Sequence, residues 1–197
     1  MPPQWPDLAQ DLIQRAAADR TFRARLVRGQ LPATAYDAGI RQQQANIEIL
    51  LKVLDAQGWP DRALLGDVGT AAAGHIALHA DHSHDLQRLA LGYLRTASEQ
   101  DRELLPPWAH LHDRCSVTAG QPQVYGTQHR LVDGSFSVLP VADPARLDTR
   151  RTAVGLPPYA TAHAQLLTRF AALLHPPPGE GDEPASDPGL TALLAHT

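Results

Sequence analysis

The 197-residue sequence holds one cysteine, one methionine and a single lysine, Lys52, and only 5% of its residues are aromatic. Cys115 alone cannot close a disulfide within the chain, so a stable fold has to come from packing. No run approaches 18 apolar residues, which leaves no candidate for a membrane-spanning helix. The opening Met-Pro-Pro-Gln-Trp-Pro-Asp has neither the basic start nor the apolar run of a signal peptide. Together these absences predict a cytoplasmic protein with no membrane partner. Gly-rich phosphate loops and nucleophile elbows are also missing, so no cofactor is expected. The 17 Lys+Arg against 21 Asp+Glu give a net charge of −4, and the arginines are scattered. That pattern excludes nucleic acid as the main partner.

What the chain does have is 43% hydrophobic residues in a length at which folding can bury roughly 70% of the unfolded surface. Helical spacing of apolar residues predicts one or two helices over 7–27, a strong helix over 35–56, and two more over 70–79 and 83–97. Gly66 to Gly69 reads as a loop, and Asp81-His82-Ser83-His84-Asp85 as a polar joint. Pro106-Pro107 opens a helix reaching about Thr118. Around Asp133-Gly134, a two-residue turn signature, Gln123–Val132 and Ser135–Val141 read as a hairpin. Helices follow over 145–154, ended by Gly155 as a left-handed cap, and over 160–174. The Pro-, Gly- and acid-rich segment 176–197 has too few apolar groups to order and reads as a tail, with a short turn at Leu190 to Leu194. The expected fold is mainly α: a single-domain helical bundle over 1–175 with one small β-hairpin packed on it.

Chemistry is concentrated in two places. His75, His79, His82 and His84 fall within ten residues, and the first three would share a face of a continuous helix. Two His at i and i+4 can hold zinc, but Ile76 stands where a His-Glu-x-x-His site would carry its Glu. His79, at the edge of an apolar helix, is a candidate general base or a core imidazole. Asp81 is a candidate to orient that imidazole, or a cap for the next helix. The second place is Asp113-Arg114 followed by Gln123, Tyr125, Thr127 and Gln128. In an extended segment the alternate polar side, Gln123, Tyr125 and Thr127, would face water or a polar pocket. Arg150 and Arg151 could grip carboxylate or phosphate, though Asp148-x-x-Arg151 has the spacing of a surface ion pair. Cys115, on an apolar face, reads as a packed thiol.

Gly58-Trp59-Pro60, His79-Ala80-Asp81, Asp113-Arg114, Gln123-x-Tyr125-Gly126-Thr127-Gln128, Asp143-Pro144 and Asp148-x-x-Arg151-x-x-x-Gly155-Leu156 follow one another in a fixed order. In this the chain resembles a bacterial family catalogued only as a domain of unknown function. The resemblance implies that His79, Asp81, Asp113, Arg114, Gln123, Tyr125, Thr127 and Gln128 belong to one constellation. It also marks two departures: Leu78 and Gly74 stand where the family pattern carries Gln and Trp. A missing ring beside His75 suggests an enlarged pocket lined by Gly74 and His75.

The sequence therefore predicts an enzyme acting on a small organic molecule by metal-independent acid–base chemistry: hydrolysis, elimination or cyclisation, with specialised metabolism as a plausible setting. His79 would be the base and Tyr125 the acid, with Asp113 or Asp81 orienting the imidazole. Arg114, Gln123, Thr127, Gln128, Gly74 and His75 would bind substrate. The alternatives are a metal-dependent hydrolase built on His75, His79 and Asp81, and a non-catalytic ligand- or protein-binding module. The leading reading requires His79 and Tyr125 to line a common hollow.

Overall fold

A computed structural model of the chain describes residues 2–132, 135–174 and 193–195. In chain order the elements are α1 (Pro6–Val27), α2 (Ala33–Gln57), α3 (Arg62–Leu78), α4 (His84–Ala97), a 3₁₀ turn at Arg102–Leu104, and α5 (Leu105–Thr118). The strands β1 (Gln128–Val132) and β2 (Ser135–Val138) follow, then a second 3₁₀ turn at Pro144–Arg146, α6 (Leu147–Ala153), α7 (Tyr159–Leu174) and β3 (Leu193–Ala195). The protein is mainly α with an antiparallel β1–β2 hairpin, as the apolar spacing predicts. The expected tail falls mostly outside the described residues. Within it, β3 pairs antiparallel with β1 where a short turn was expected.

Each helix has a local cause. Pro6 lies in the first turn of α1, where its missing N–H costs nothing, and Ala9, Leu12 and Ala16 form the buried stripe. On α2 the stripe is Ile47, Leu50, Val53 and Leu54, and Gly58 at φ 75° ends the helix. The Asp61 carboxylate accepts from Leu64 N at 3.0 Å to cap α3. The expected loop at Gly66–Gly69 shortens to one residue: Gly66, whose φ of 69° and ψ of 174° are open to glycine, interrupts α3, and the helix resumes after it. The expected strand from Gln123 shortens to Gln128–Val132, leaving 123–127 as a loop touched by one bridge, Gln123 to Val141.

The main core joins α1 to α4, with Leu50, Leu54, Leu65, Ile76, Leu86 and Leu94 all buried. A smaller core of Leu105, Ala109, Val154 and Leu156 joins α5 to the segment around α6, with Trp108 and Tyr125 packed on it. Helix α5 therefore has one face in each half of the protein. The crossing of α1 and α3 is close: a Cβ on Gly69 would lie 3.1 Å from Ala9 Cβ and 2.8 Å from Leu65 Cβ. Gly69→Ala is expected to lower stability by about 1–3 kcal/mol through overpacking, read as a lower urea midpoint with an unchanged slope.

Candidate functional site

The residues singled out by the sequence gather into two clusters that meet at Asp113 and Arg114 of α5. The first lies where α1, α3 and α5 converge. Helix α3 ends at Leu78, so His82 lies beyond it and is exposed rather than sharing a face with His75 and His79. His75 is buried and its Nε2 lies 2.9 Å from Asp19 Oδ2. Asp19 also accepts from Arg23 Nε at 2.9 Å and from Gln43 Nε2 at 3.0 Å. Burial pushes the Asp19 pKa up, but the bonds from His75 and Gln43 and the Arg23 charge outweigh it and leave the pKa below its ordinary value. Asp19 is therefore a carboxylate at neutral pH, and His75 donates to it from Nε2–H.

The rings of His75 and His79 stand 4.5 Å apart at 49°. Burial first, then the charges of Arg23, His75, Arg114 and Arg20, hold the His79 pKa well below that of a free imidazole. His79 is neutral at pH 7. The Nδ1 atoms of His75 and His79 are both buried without a hydrogen-bond partner. Arg23 secures the end of α3 by donating from Nη2 to the His79 carbonyl at 2.7 Å, and its Nη2 lies 3.0 Å from Asp81 Oδ2. Arg114, 1% exposed, brings Nη1 within 3.6 Å of Asp81 Oδ1. Burial lowers the Arg114 pKa to about 10, so it stays a cation.

These contacts change two readings of Asp81. The cap of α4 is Ser83, whose Oγ accepts from Leu86 N, and Asp81 neutralises guanidinium groups instead of orienting His79. The carboxylate on the imidazole pair is Asp19, 56 positions from His75. The sequence does carry a signal for it: Asp19 continues the buried stripe of Leu12 and Ala16, an acid where an apolar residue would be expected.

The second cluster is a loop wrapped on a buried acid. Asp113, 0% exposed, accepts from Val124 N at 2.7 Å, Tyr125 N at 3.1 Å, and Thr127 N and Oγ1 at 3.1 Å. Its oxygens are occupied by the loop, so it does not orient His79. The loop carbonyls are taken from the other side, Val124 O by Arg150 Nε at 2.8 Å and Tyr125 O by Arg151 Nη1 at 2.6 Å. Arg151 also donates to Pro157 O at 2.6 Å. Neither arginine is a free anion grip, and the expected Asp148 to Arg151 pair is replaced by these carbonyl bonds.

Gln123 and Thr127 turn inward rather than to water. The Gln123 amide accepts from Gln128 N at 2.8 Å and donates to the carbonyls of Gln128 and Leu139, so it stands in for a strand. Gln128 Nε2 donates to Thr127 Oγ1 at 2.9 Å. Tyr125 is half-buried against Trp108 and His112, with ring centroids 5.9 and 5.7 Å away. The imidazole beside the phenol is thus His112, whose Nδ1 lies 3.6 Å from Asp113 Oδ1, while the ring neighbour of His79 is His75. His112 carries no motif spacing that would have singled it out.

At Gly74 an added Cβ would meet Pro107 Cβ at 3.9 Å, ordinary contact between α3 and α5. Cys115 packs against the main core, and burial raises its thiol pKa. Among the described residues no group of three or more His, Cys, Asp and Glu side chains converges as a metal-ligand set. His75 Nε2, which a zinc reading needs, is on Asp19. No helix among the described residues is long and apolar enough to cross a membrane.

Asp113→Ala would leave four loop donors without their acceptor and is expected to cost on the order of 3–5 kcal/mol. Hydrogen exchange would show lost protection at Val124, Tyr125 and Thr127, and the denaturation midpoint would fall. Burial also lowers the pKa values of His110 and His129, each to about 4. In the unfolded chain these imidazoles titrate near 6.5. Between about pH 6.5 and 4 the unfolded state therefore binds more protons, and stability falls as the solution is acidified. Thermal melting is expected to drop steadily from pH 7 to 5, and His110→Gln to flatten that slope.

No curated protein and no solved structure matches the chain. Residues 6–172 match the model of a family of unknown function, DUF6624, and the chain belongs to that family.

Proposed function

We propose that the protein is an enzyme that acts on a small organic molecule by metal-independent acid–base chemistry at the His75–His79 pair. The observation that carries this reading is a pair of buried imidazoles whose rings stand 4.5 Å apart, one of them held at Nε2 by a buried carboxylate. Buried imidazoles with shifted pKa values collect at functional sites. His79, neutral at pH 7, is ready to accept a proton. His75 is held in one tautomer by Asp19, as a base is held by its orienting carboxylate. Arg23 and Arg114, with Asp81 between them, fix the end of α3 and so the position of this pair. Hydrolysis, elimination and cyclisation would all suit a base held in this way.

Tyr125 enters this reading only as part of a separate aromatic face with Trp108 and His112, over which Arg95 stacks at 5.2 Å from the Trp108 ring. That face supports a second reading, a module that holds a flat ligand without converting it.

Incubating the protein with a small-molecule extract, followed by mass spectrometry, separates the two. Acid–base catalysis predicts that at least one compound is consumed and that His79→Gln slows its conversion about 100-fold or more, with the melting temperature retained. Turnover undiminished in His79→Gln would remove His79 from the chemistry, and a bound but unchanged compound would favour the module. Because His79 stays unprotonated, the rate is expected to show no acid limb near pH 6.5.

A further inference from the structure

A cleft of about 340 Å³ lies between α1 and α2, lined by Asp19, Phe22, Arg25, Leu31, Ala35 and Gln42 among others. That volume is typical of small-ligand sites, roughly 300–1,000 Å³. The wall on the Phe22 side depends on Gly39: a Cβ there would fall 2.0 Å from the Phe22 ring, so the ring occupies the space that a side chain at 39 would take.

Asp19 is the only carboxylate in the wall, and its bonding is incomplete. Its Oδ2 accepts from both Arg23 and His75, but its Oδ1 accepts only from Gln43 Nε2. An ionised carboxylate offers about four acceptor positions, which leaves one on Oδ1. A cation is a poor fit for that position, because Arg23 already neutralises Asp19 and Arg25 lines the same cleft. A neutral O–H group has no such conflict, and the Phe22, Leu31 and Ala35 walls suit an apolar body.

We infer that this cleft binds a small, mainly apolar molecule that donates a hydroxyl hydrogen to Asp19. The site does not require that the protein be an enzyme. Since the same carboxylate holds His75, an occupant competes for the charge that fixes that imidazole, and binding is felt at the His75–His79 pair. By linkage the effect is reciprocal: whatever changes His75 changes affinity in the cleft.

Benzyl alcohol, toluene and benzylamine are suitable probes for the full chain, with calorimetry for affinity and NMR for the imidazole resonances. The inference predicts saturable 1:1 binding of benzyl alcohol, about tenfold or more tighter than toluene for a hydrogen bond to a charged acceptor, and a shift of the His75 ring signals. Ala35→Trp, which fills the cleft from α2, is expected to abolish binding; Ala18→Trp fills it from α1 should the first variant unfold. Absence of saturable binding, equal affinity for toluene, tighter binding of benzylamine, or binding that survives a folded Trp variant would each overturn the inference. None of these outcomes depends on turnover, so it stands or falls separately from the catalytic reading.

Discussion

Asp113 occupies the middle of α5 with no solvent contact, and the segment that follows the helix is arranged around it. Four donors from Val124, Tyr125 and Thr127 converge on its two oxygens, while Arg150 and Arg151 take the carbonyls of Val124 and Tyr125. A loop that cannot use ladder bonds must place its backbone polar groups somewhere, and here three N–H groups and two carbonyls meet charged side chains while Gln123 pairs with the backbone of Pro140 and Ala142. The consequence reaches beyond the loop. Because Arg150 and Arg151 belong to α6, the same six residues tie α6 to α5 and set where β1 begins.

The other side of α5 is organised by charge of a different kind. Asp19, Arg23, Asp81 and Arg114 form a chain of ion pairs through the junction of α1, α3 and α5. Buried ion pairs contribute little net stability once desolvation is counted, but losing one partner is severe. Their effect here is geometric. Arg23 binds a carboxylate on its own helix, the carbonyl that ends α3 and the acid that follows it, so the end of α3 has one position relative to α1. That fixed position brings two imidazoles together without bonding their inner nitrogens.

The helices were legible because burial imposes a 3.6-residue repeat that the apolar residues of α1, α2 and α4 follow closely. Asp133-Gly134 marked the hairpin for an equally local reason. What the sequence could not show is direction. Gln123 and Thr127 alternate like outward-facing strand residues, yet they point inward because a buried carboxylate eleven to fourteen positions upstream attracts the backbone between them. Likewise, the ordered motifs brought His79, Asp81, Asp113, Arg114 and Tyr125 to attention together, but Asp113 and Arg114 are neighbours whose side chains serve different halves. Adjacent residues on a helix point about 100° apart, which is how one motif feeds two clusters. Asp19 lies outside all of those motifs, and its partner is settled only by how α1 crosses α3.

That crossing also shapes how such a sequence can drift. Asp19 and His75 are joined by one hydrogen bond between helices with little room between them. A neutral residue at 19 strands the imidazole beside Arg23, and an apolar residue at 75 leaves a carboxylate with one fewer donor. Descendants that abandon the bond are therefore under pressure to exchange both positions, or to recruit a new donor from α2, before either change is tolerated.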